Sequence, residues 1–173
     1  MKRVMVVGSS GAGKSTFAKR LGAIIGAPVV HLDALYWNPG WQECETAEFR
    51  RRVSMALAGE AWVSDGNYIS KTFDLRVPRA DAIIILLQPR WRCMARVLTR
   101  WLKNQGRTRD DIGPDCPEKI DLPFLKWVWE YERKSLPRME AVLARVKDRV
   151  VRLRGDAQAR RYLERVAEEV RAA

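Results

Sequence analysis

Apolar and polar residues follow one another in short blocks along the 173-residue chain, and the blocks read as strands and helices in turn. Arg3-Val4-Met5-Val6-Val7 is a valine-rich apolar run and predicts a buried strand. Beyond a glycine-rich stretch, Phe17, Leu21, Ile24 and Ile25 fall at helical spacing and give one apolar stripe, which Gly26-Ala27-Pro28 stops. Val29-Val30-His31-Leu32 predicts a second strand with Asp33 at its carboxyl end. Glu45-Thr46 offers a cap for a helix whose face carries Phe49, Val53, Ala56 and Leu57 and which ends before Gly59. Ala61 to Asp65 is a third strand, turned by Gly66-Asn67, and Ala82 to Leu87 a fourth, ending in Gln88-Pro89. Arg90 to Leu102 reads as a helix, and Asn104 to Asp121 lacks any apolar period and reads as a mobile lid. Asp121 caps a helix through Trp127, Val128 and Tyr131 that Pro137 interrupts, with a further helix to Val146. Arg149 to Leu153 is the last strand, and Gly155-Asp156 turns into a terminal helix with Tyr162, Leu163, Val166 and Val170 inward. Strands alternating with helices predict a three-layer α/β fold with a parallel sheet. No repeat, linker or low-complexity segment divides the chain, so residues 1–173 are expected to form one domain.

The glycine-rich stretch carries the most specific chemistry. Gly8-Ser9-Ser10-Gly11-Ala12-Gly13-Lys14-Ser15-Thr16 matches the P-loop pattern of Gly, four residues, Gly-Lys-Ser/Thr. It lies between a strand and a helix, as the motif requires. Glycines at 8, 11 and 13 keep side chains away from backbone N–H groups that wrap a phosphate chain. The helix starting near Lys14 adds its positive dipole end. Lys14 brings an ammonium to the terminal phosphates, and the Ser15 hydroxyl can ligate Mg²⁺.

Two acids stand at strand carboxyl ends, where ligands of parallel α/β sheets bind. Asp33 has two open roles, general base for an acceptor hydroxyl or hydrogen-bond partner of the acceptor. Asp65 takes the Walker-B-like position, holding Mg²⁺ or contacting the acceptor, because the fourth strand ends without an acid. His31, the only histidine, reads as a satisfied core residue. Leu35 to Trp41 is dense in aromatics. Tyr36 and Trp37 either stack on a planar acceptor or form a small core of their own, and Tyr68 joins the substrate side. Arg76 either clamps a phosphate or ties its loop down. Arg92, Arg96 and Arg100 recur every four residues on one helix face, where like charges repel unless a polyanion lies against them. In the lid, Arg107 and Arg109 are candidates to meet the transferring phosphoryl group, and Arg133 is a weaker one.

A net charge of +11 favours anionic partners, which nucleotides, nucleic acid or an acidic membrane surface would satisfy. Cys44, Cys93 and Cys116 have no paired spacing, which argues against disulfides or zinc and suits a reducing cytosol. The first apolar run is too short for a signal peptide, and no stretch approaches a membrane span, so a cytoplasmic location is expected.

With these residues in hand, the chain resembles the adenylate-kinase-like branch of small P-loop kinases, and more closely the bacterial DNA topology modulation proteins of the FlaR type. The resemblance runs nearly end to end. Besides the P-loop it rests on His31-Leu32-Asp33-Ala34-Leu35-Tyr36-Trp37, Asp65-Gly66-Asn67-Tyr68, Arg76 with Arg79-Ala80-Asp81, Gly106-Arg107-Thr108-Arg109 and Val151-Arg152-Leu153-Arg154. It implies strand order 2-3-1-4-5 and binding of ATP with Mg²⁺. Arg96 and Arg100 match the Arg-x-x-x-Arg pair that covers adenine and phosphates in adenylate kinases. Asp65-Gly66 matches their Asp-Gly, but Asn67-Tyr68-Ile69 replaces the following Phe-Pro-Arg. The arginine that grips the AMP phosphate is therefore missing there, and Arg76 is the candidate substitute.

The functional reading is an ATP·Mg²⁺-dependent phosphotransferase acting on a small acceptor near Asp33, Tyr36 and Asp65. The competing one is a nucleotide-dependent regulatory or DNA-associated protein, for which the chain carries no helix-turn-helix, zinc-finger or RNA-binding signature. An ATP-binding module with little turnover is a third, and the aromatic loop and strand-end acids speak against it.

Overall fold

The computed structural model describes residues 1–172. In chain order the elements are β1 (Arg3–Gly8), α1 (Lys14–Ile25), β2 (Val29–His31), α2 (Leu32–Tyr36), β3 (Trp37–Asn38), β4 (Gln42–Glu43), α3 (Thr46–Ala56), β5 (Trp62–Asp65), α4 (Ile69–Arg76), β6 (Ala82–Leu87), α5 (Arg90–Lys103), α6 (Leu122–Leu143), β7 (Val150–Arg154) and α7 (Gly155–Arg171). Five strands form one sheet in the order β2-β5-β1-β6-β7, every pairing parallel. Counting these five alone, the order is the expected 2-3-1-4-5, and the architecture is the three-layer α/β P-loop fold.

Alternation along the central strands splits the core into two layers. Val4, Val6 and Ile84 face one side with Phe17 and Leu21 of α1 and Leu163 and Val166 of α7. Met5, Val7, Ile83 and Ile85 face the other with Phe49, Val53, Phe73 and Met139. Burial on both faces explains why β1 and β6 read as continuous apolar runs. Each fully buried isoleucine of β6 contributes roughly 2–3 kcal/mol.

Three expected boundaries move. Leu32 leaves the second strand and opens α2, so Asp33 lies in the first turn of a five-residue helix just past β2. The aromatic stretch is structured, with β3 and β4 pairing antiparallel as a small hairpin. Pro137 does not interrupt its helix. α6 runs through it for 22 residues, because Val128 and Tyr131 before it and Met139 and Leu143 after it are all buried. That packing outweighs one lost backbone hydrogen bond. Val170 is not inward either but 47% exposed, one turn beyond the end of the core stripe.

The start of β1 is tied to the entry of β6 by Asp81. Its carboxylate accepts from the backbone N–H of Lys2 and Arg3, both at 2.8 Å, and pairs with the Arg3 guanidinium at 2.9 Å. Against the opposing effect of burial, these donors hold the carboxyl at about 2. A depressed folded-state pKa stabilises the protein above the unfolded pKa, and that contribution fades as the pH falls. Asp81→Asn is expected to lower unfolding free energy by about 1–2 kcal/mol at pH 7. In urea titrations the gap between variant and parent closes from pH ~4 toward pH ~2. A gap that stays constant over that range contradicts the role given to Asp81.

Candidate active site

The carboxyl ends of β1, β2 and β5 open into a cleft of about 650 Å³, with the phosphate loop as its floor. Gly13 caps α1 in a left-handed conformation with φ of 91°, and no side chain caps this helix, so its first N–H groups are free for a ligand. A Cβ at Gly11 would stand 2.3 Å from the Cys93 carbonyl oxygen, so the loop is wedged against the start of α5. Packing and a left-handed φ of 78° both require glycine at 11, and the backbone conformation alone requires it at 13. Lys14 Nζ donates to the Ser9 carbonyl at 3.1 Å and so arches over the loop. Ser9 and Ala12 are buried within the loop, and Ser10, Ser15 and Thr16 line the cleft.

The turn after β5 is held from below by Arg76. This guanidinium is fully buried, at 0% exposure. It donates to the carbonyls of Gly66, at 3.0 Å, and Asn67, and through Nε to Thr72 Oγ1 at 3.1 Å. Burial lowers its pKa to about 9, so it is charged at neutral pH. Arg76 thus ties the loop down and does not reach the cleft. The expectation that it clamps a substrate is corrected, because the guanidinium is fully buried against three intramolecular acceptors and does not line the cleft.

That turn in turn organises the cleft. Asn67 grips Gly8 twice, accepting from its N–H at 3.0 Å and donating to its carbonyl at 2.9 Å. Tyr68, left-handed at φ 44°, donates its hydroxyl to Asp33 Oδ1 at 2.6 Å. Burial raises the Asp33 carboxyl above its ordinary range, while the Tyr68 hydrogen bond and the Lys14 charge pull it back. Burial and the neighbouring Asp33 charge push the Tyr68 phenol far up, so it stays a donor. Asp65, also buried, meets His31 Nδ1 at 2.8 Å with one oxygen and leaves Oδ1 without a partner. His31 is satisfied, as expected, but by a functional-site carboxylate: it stands half-buried behind Asp65 at the end of β2 and is not part of the hydrophobic core.

The lid lies closed over these groups. Trp41 Nε1 donates to the Pro117 carbonyl at 2.8 Å, Gly40 N–H donates to that of Asp115 at 2.9 Å, and Ile112 and Cys116 are buried. This closure brings Asp111 opposite Ser15, His31 and Asp65. Against burial, Arg109 and Ser15 hold its carboxyl below the ordinary range. Arg109 lines the cleft, 2.8 Å from Glu118 and 3.5 Å from Asp111. Arg100 also lines it and bonds Glu118 at 2.8 Å. Arg107 is exposed and outside the cleft; its turn is fixed by backbone bonds to Asn104 and Glu118 that leave its side chain in solvent. Arg133 is likewise exposed, 3.6 Å from Glu130.

The arginine stripe of α5 needs no external polyanion to offset its repulsion. Arg92 and Arg96 share Asp156 at 3.3 and 2.7 Å, and Glu118 takes Arg100. Arg96 lies between the main cleft and a second one of about 300 Å³, formed with Thr16, Arg160 and Leu163. Of the aromatics, Tyr36 is only 5% exposed and packs against Phe49 and Tyr68, with its hydroxyl bonded to Glu43. It belongs to a small core and not to the acceptor surface. Trp37 and Trp41 line the cleft, joined by Phe124 and Trp127 from α6.

Asp111, Asn67, Glu118 and the α6 aromatics are the cleft residues that the sequence did not single out as functional; His31 reads in the sequence as a core residue. Asn67 directly follows the Asp-Gly pair, which was a usable signal. Asp111 stands in an aperiodic segment where spacing carries no orientation.

No protein-family model matches this chain, and no curated protein matches it in sequence. In structure it is similar to a gluconokinase from Sinorhizobium meliloti 1021, with TM-score 0.54 and 18% identity over 98% of this chain and 95% of that one. It is also similar to TT1252 from Thermus thermophilus, with TM-score 0.52 and 20% identity over 99% and 96% of the two chains. The likeness is one of fold: a three-layer α/β P-loop architecture with a parallel sheet. No described helix is long and apolar enough to cross a membrane.

Replacing Arg76 tests the arrangement. Arg76→Ala strands two buried carbonyls and opens a cavity, and is expected to cost at least about 3 kcal/mol in denaturant unfolding. Arg76→Lys is expected to fold but to lose nucleotide affinity, because one ammonium cannot bridge both carbonyls as the fork does. Unchanged stability in the first variant, or unchanged affinity in the second, contradicts the assignment.

Proposed function

We propose that this protein is a phosphotransferase that moves the γ-phosphoryl group of ATP to the hydroxyl of a small acceptor. The observation that carries the reading is the meeting, in one cleft, of an uncapped phosphate loop with Lys14 and a carboxyl just past β2, Asp33, whose pKa is raised. The phosphates lie on the loop from Gly8 to Thr16, with Lys14 on the β- and γ-oxygens. Arg96 and the second cleft receive the nucleoside. Ser15 and Asp65 are the residues to hold Mg²⁺, and the unpartnered buried Oδ1 of Asp65 fits that task. Bound there, the ion would neutralise charge on the terminal phosphates.

Asp33 accepts the acceptor's proton as its oxygen attacks the γ-phosphorus, and the bond to the bridging oxygen breaks to release ADP. Arg100 and Arg109 neutralise charge on the transferring group, and the closed lid excludes water. Trp37, Trp41, Phe124 and Trp127 offer flat faces to the acceptor. With Arg76 consumed inside the fold, no arginine stands at the place where adenylate kinases grip the AMP phosphate. A planar, uncharged acceptor of nucleoside type fits this cleft better than a nucleoside monophosphate. The structurally similar gluconokinase, by its name, makes a polyol acid the second acceptor class to test.

The DNA-associated reading draws on the resemblance to DNA topology modulation proteins, the net charge of +11 and the stacking of Arg90, 4.6 Å over exposed Trp129. DNA binding with a steep salt slope and no acceptor-stimulated turnover would favour it.

ADP formation is to be measured against nucleosides, nucleoside monophosphates and polyol acids. Stimulation by one class is expected, with Lys14→Ala lowering the rate roughly 10²–10³-fold. Wild-type turnover in Lys14→Ala contradicts the reading. Asp33 acts as a base only when ionised, so the rate is expected to fall as the pH drops through a pKa above the ordinary carboxylate range. Tyr68→Phe removes a hydrogen bond that favours the ionised form, so the acidic limb moves to still higher pH. A limb that stays put, or moves down, contradicts Asp33 as the base.

A further inference from the structure

Three side chains converge beside the phosphate loop whose joint presence phosphoryl transfer alone does not require. His31 ends β2, Asp65 ends the neighbouring β5, and Asp111 comes from the lid. One ligand-type atom of each lies within 4.8 Å of the other two. Donor atoms on opposite sides of one divalent ion stand roughly 4–5 Å apart, for bonds of about 2.0–2.5 Å. Asp65 is 5% exposed, lines the cleft, and has an oxygen with no partner. A buried carboxylate oxygen in that state lacks the donor or cation that ordinarily satisfies it. Asp111 faces it with a second carboxylate, and Arg109, 3.5 Å away, is the nearest protein cation that the lid itself supplies to that acid.

We propose that His31, Asp65 and Asp111 form a divalent-cation site that latches the lid onto the phosphate loop, with Asp111 as the lid's ligand. The donor set is one imidazole and two carboxylates. Imidazole suits Mn²⁺, Fe²⁺ or Zn²⁺ better than Mg²⁺, which prefers oxygen donors and retains its waters. The site therefore favours a borderline ion over Mg²⁺, and it joins three segments distant in sequence. Without the ion, the carboxylates of Asp65 and Asp111 repel across the gap, which opposes the contacts that Ser15, Arg100 and the hairpin make with the lid. The inference rests on the phosphotransferase reading and deepens it: Asp65 is the carboxylate that reading gives to the divalent ion, His31 and Asp111 are that ion's added ligands, and with an imidazole among them Mn²⁺ is preferred to Mg²⁺ there. Its test needs neither nucleotide nor turnover.

Full-length protein stripped with chelator is titrated with Mn²⁺ alone, and free Mn²⁺ is followed by electron paramagnetic resonance. In parallel, trypsin cleavage at exposed Arg107 reports lid closure. The wild-type chain is expected to bind one Mn²⁺, to yield it to Mg²⁺ only at large excess, and to be cut several-fold more slowly when loaded. Asp111→Asn, nearly isosteric, is expected to weaken Mn²⁺ binding on the order of tenfold or more and to abolish the protection. His31→Gln is expected to narrow the preference for Mn²⁺ over Mg²⁺. Absence of Mn²⁺ binding in the wild-type chain overturns the inference, as does Asp111→Asn matching it in affinity and in cleavage. An intact latch in a protein that transfers no phosphoryl group would count against the phosphotransferase reading alone.

Discussion

A single buried guanidinium carries the site. Arg76 has no solvent exposure and, among the described residues, no carboxylate within ion-pairing distance; it donates to two carbonyls and a hydroxyl. Burying such a charge is costly unless its hydrogen bonds are made, so the arrangement is strongly all-or-none. The two carbonyls belong to Gly66 and Asn67, and the residues around them do the work. Asp65 meets His31, Asn67 clamps Gly8, and Tyr68 fixes Asp33. One fork from α4 therefore sets the ends of β1, β2 and β5 relative to one another. The charge of nearby Asp65 favours the guanidinium's cationic form against the effect of burial.

The phosphate loop depends on that frame from the other side as well. Gly11 lies so near the Cys93 carbonyl that α5 cannot shift without moving the loop. α5 also brings the arginines, and their mutual repulsion is met inside the protein by Asp156 and Glu118. A basic stripe that seemed to call for a polyanion is thus neutralised locally. The same acids hold the arginines in place, so their donors are positioned and not freely rotating.

The sheet, its strand order and the phosphate loop were legible in the sequence because each depends on residues close together in the chain. The P-loop is a contiguous pattern, and doubly buried strands announce themselves as apolar runs. What was not legible depends on contacts between distant segments. Nothing near Arg76 distinguishes a phosphate clamp from a loop anchor, since only the position of Gly66 and Asn67 decides it. Whether Tyr36 stacks on an acceptor or packs in a small core was open in the sequence, because its burial is made by Phe49 of α3 and Tyr68 of the turn after β5. Asp111 enters the site by the docking of a segment without periodicity. Pro137 stayed inside a helix for a tertiary reason, the buried residues on either side of it.

The central claim is that the cleft between the phosphate loop and Asp33 joins a γ-phosphoryl group to an acceptor. The most direct test is to incubate the protein with γ-labelled ATP and a deproteinised small-molecule extract, and to follow the label chromatographically. The account expects label in a new phosphate ester, with little released as inorganic phosphate, since the closed lid keeps water from the loop. Label appearing only as inorganic phosphate, at the same rate with and without extract, would contradict it.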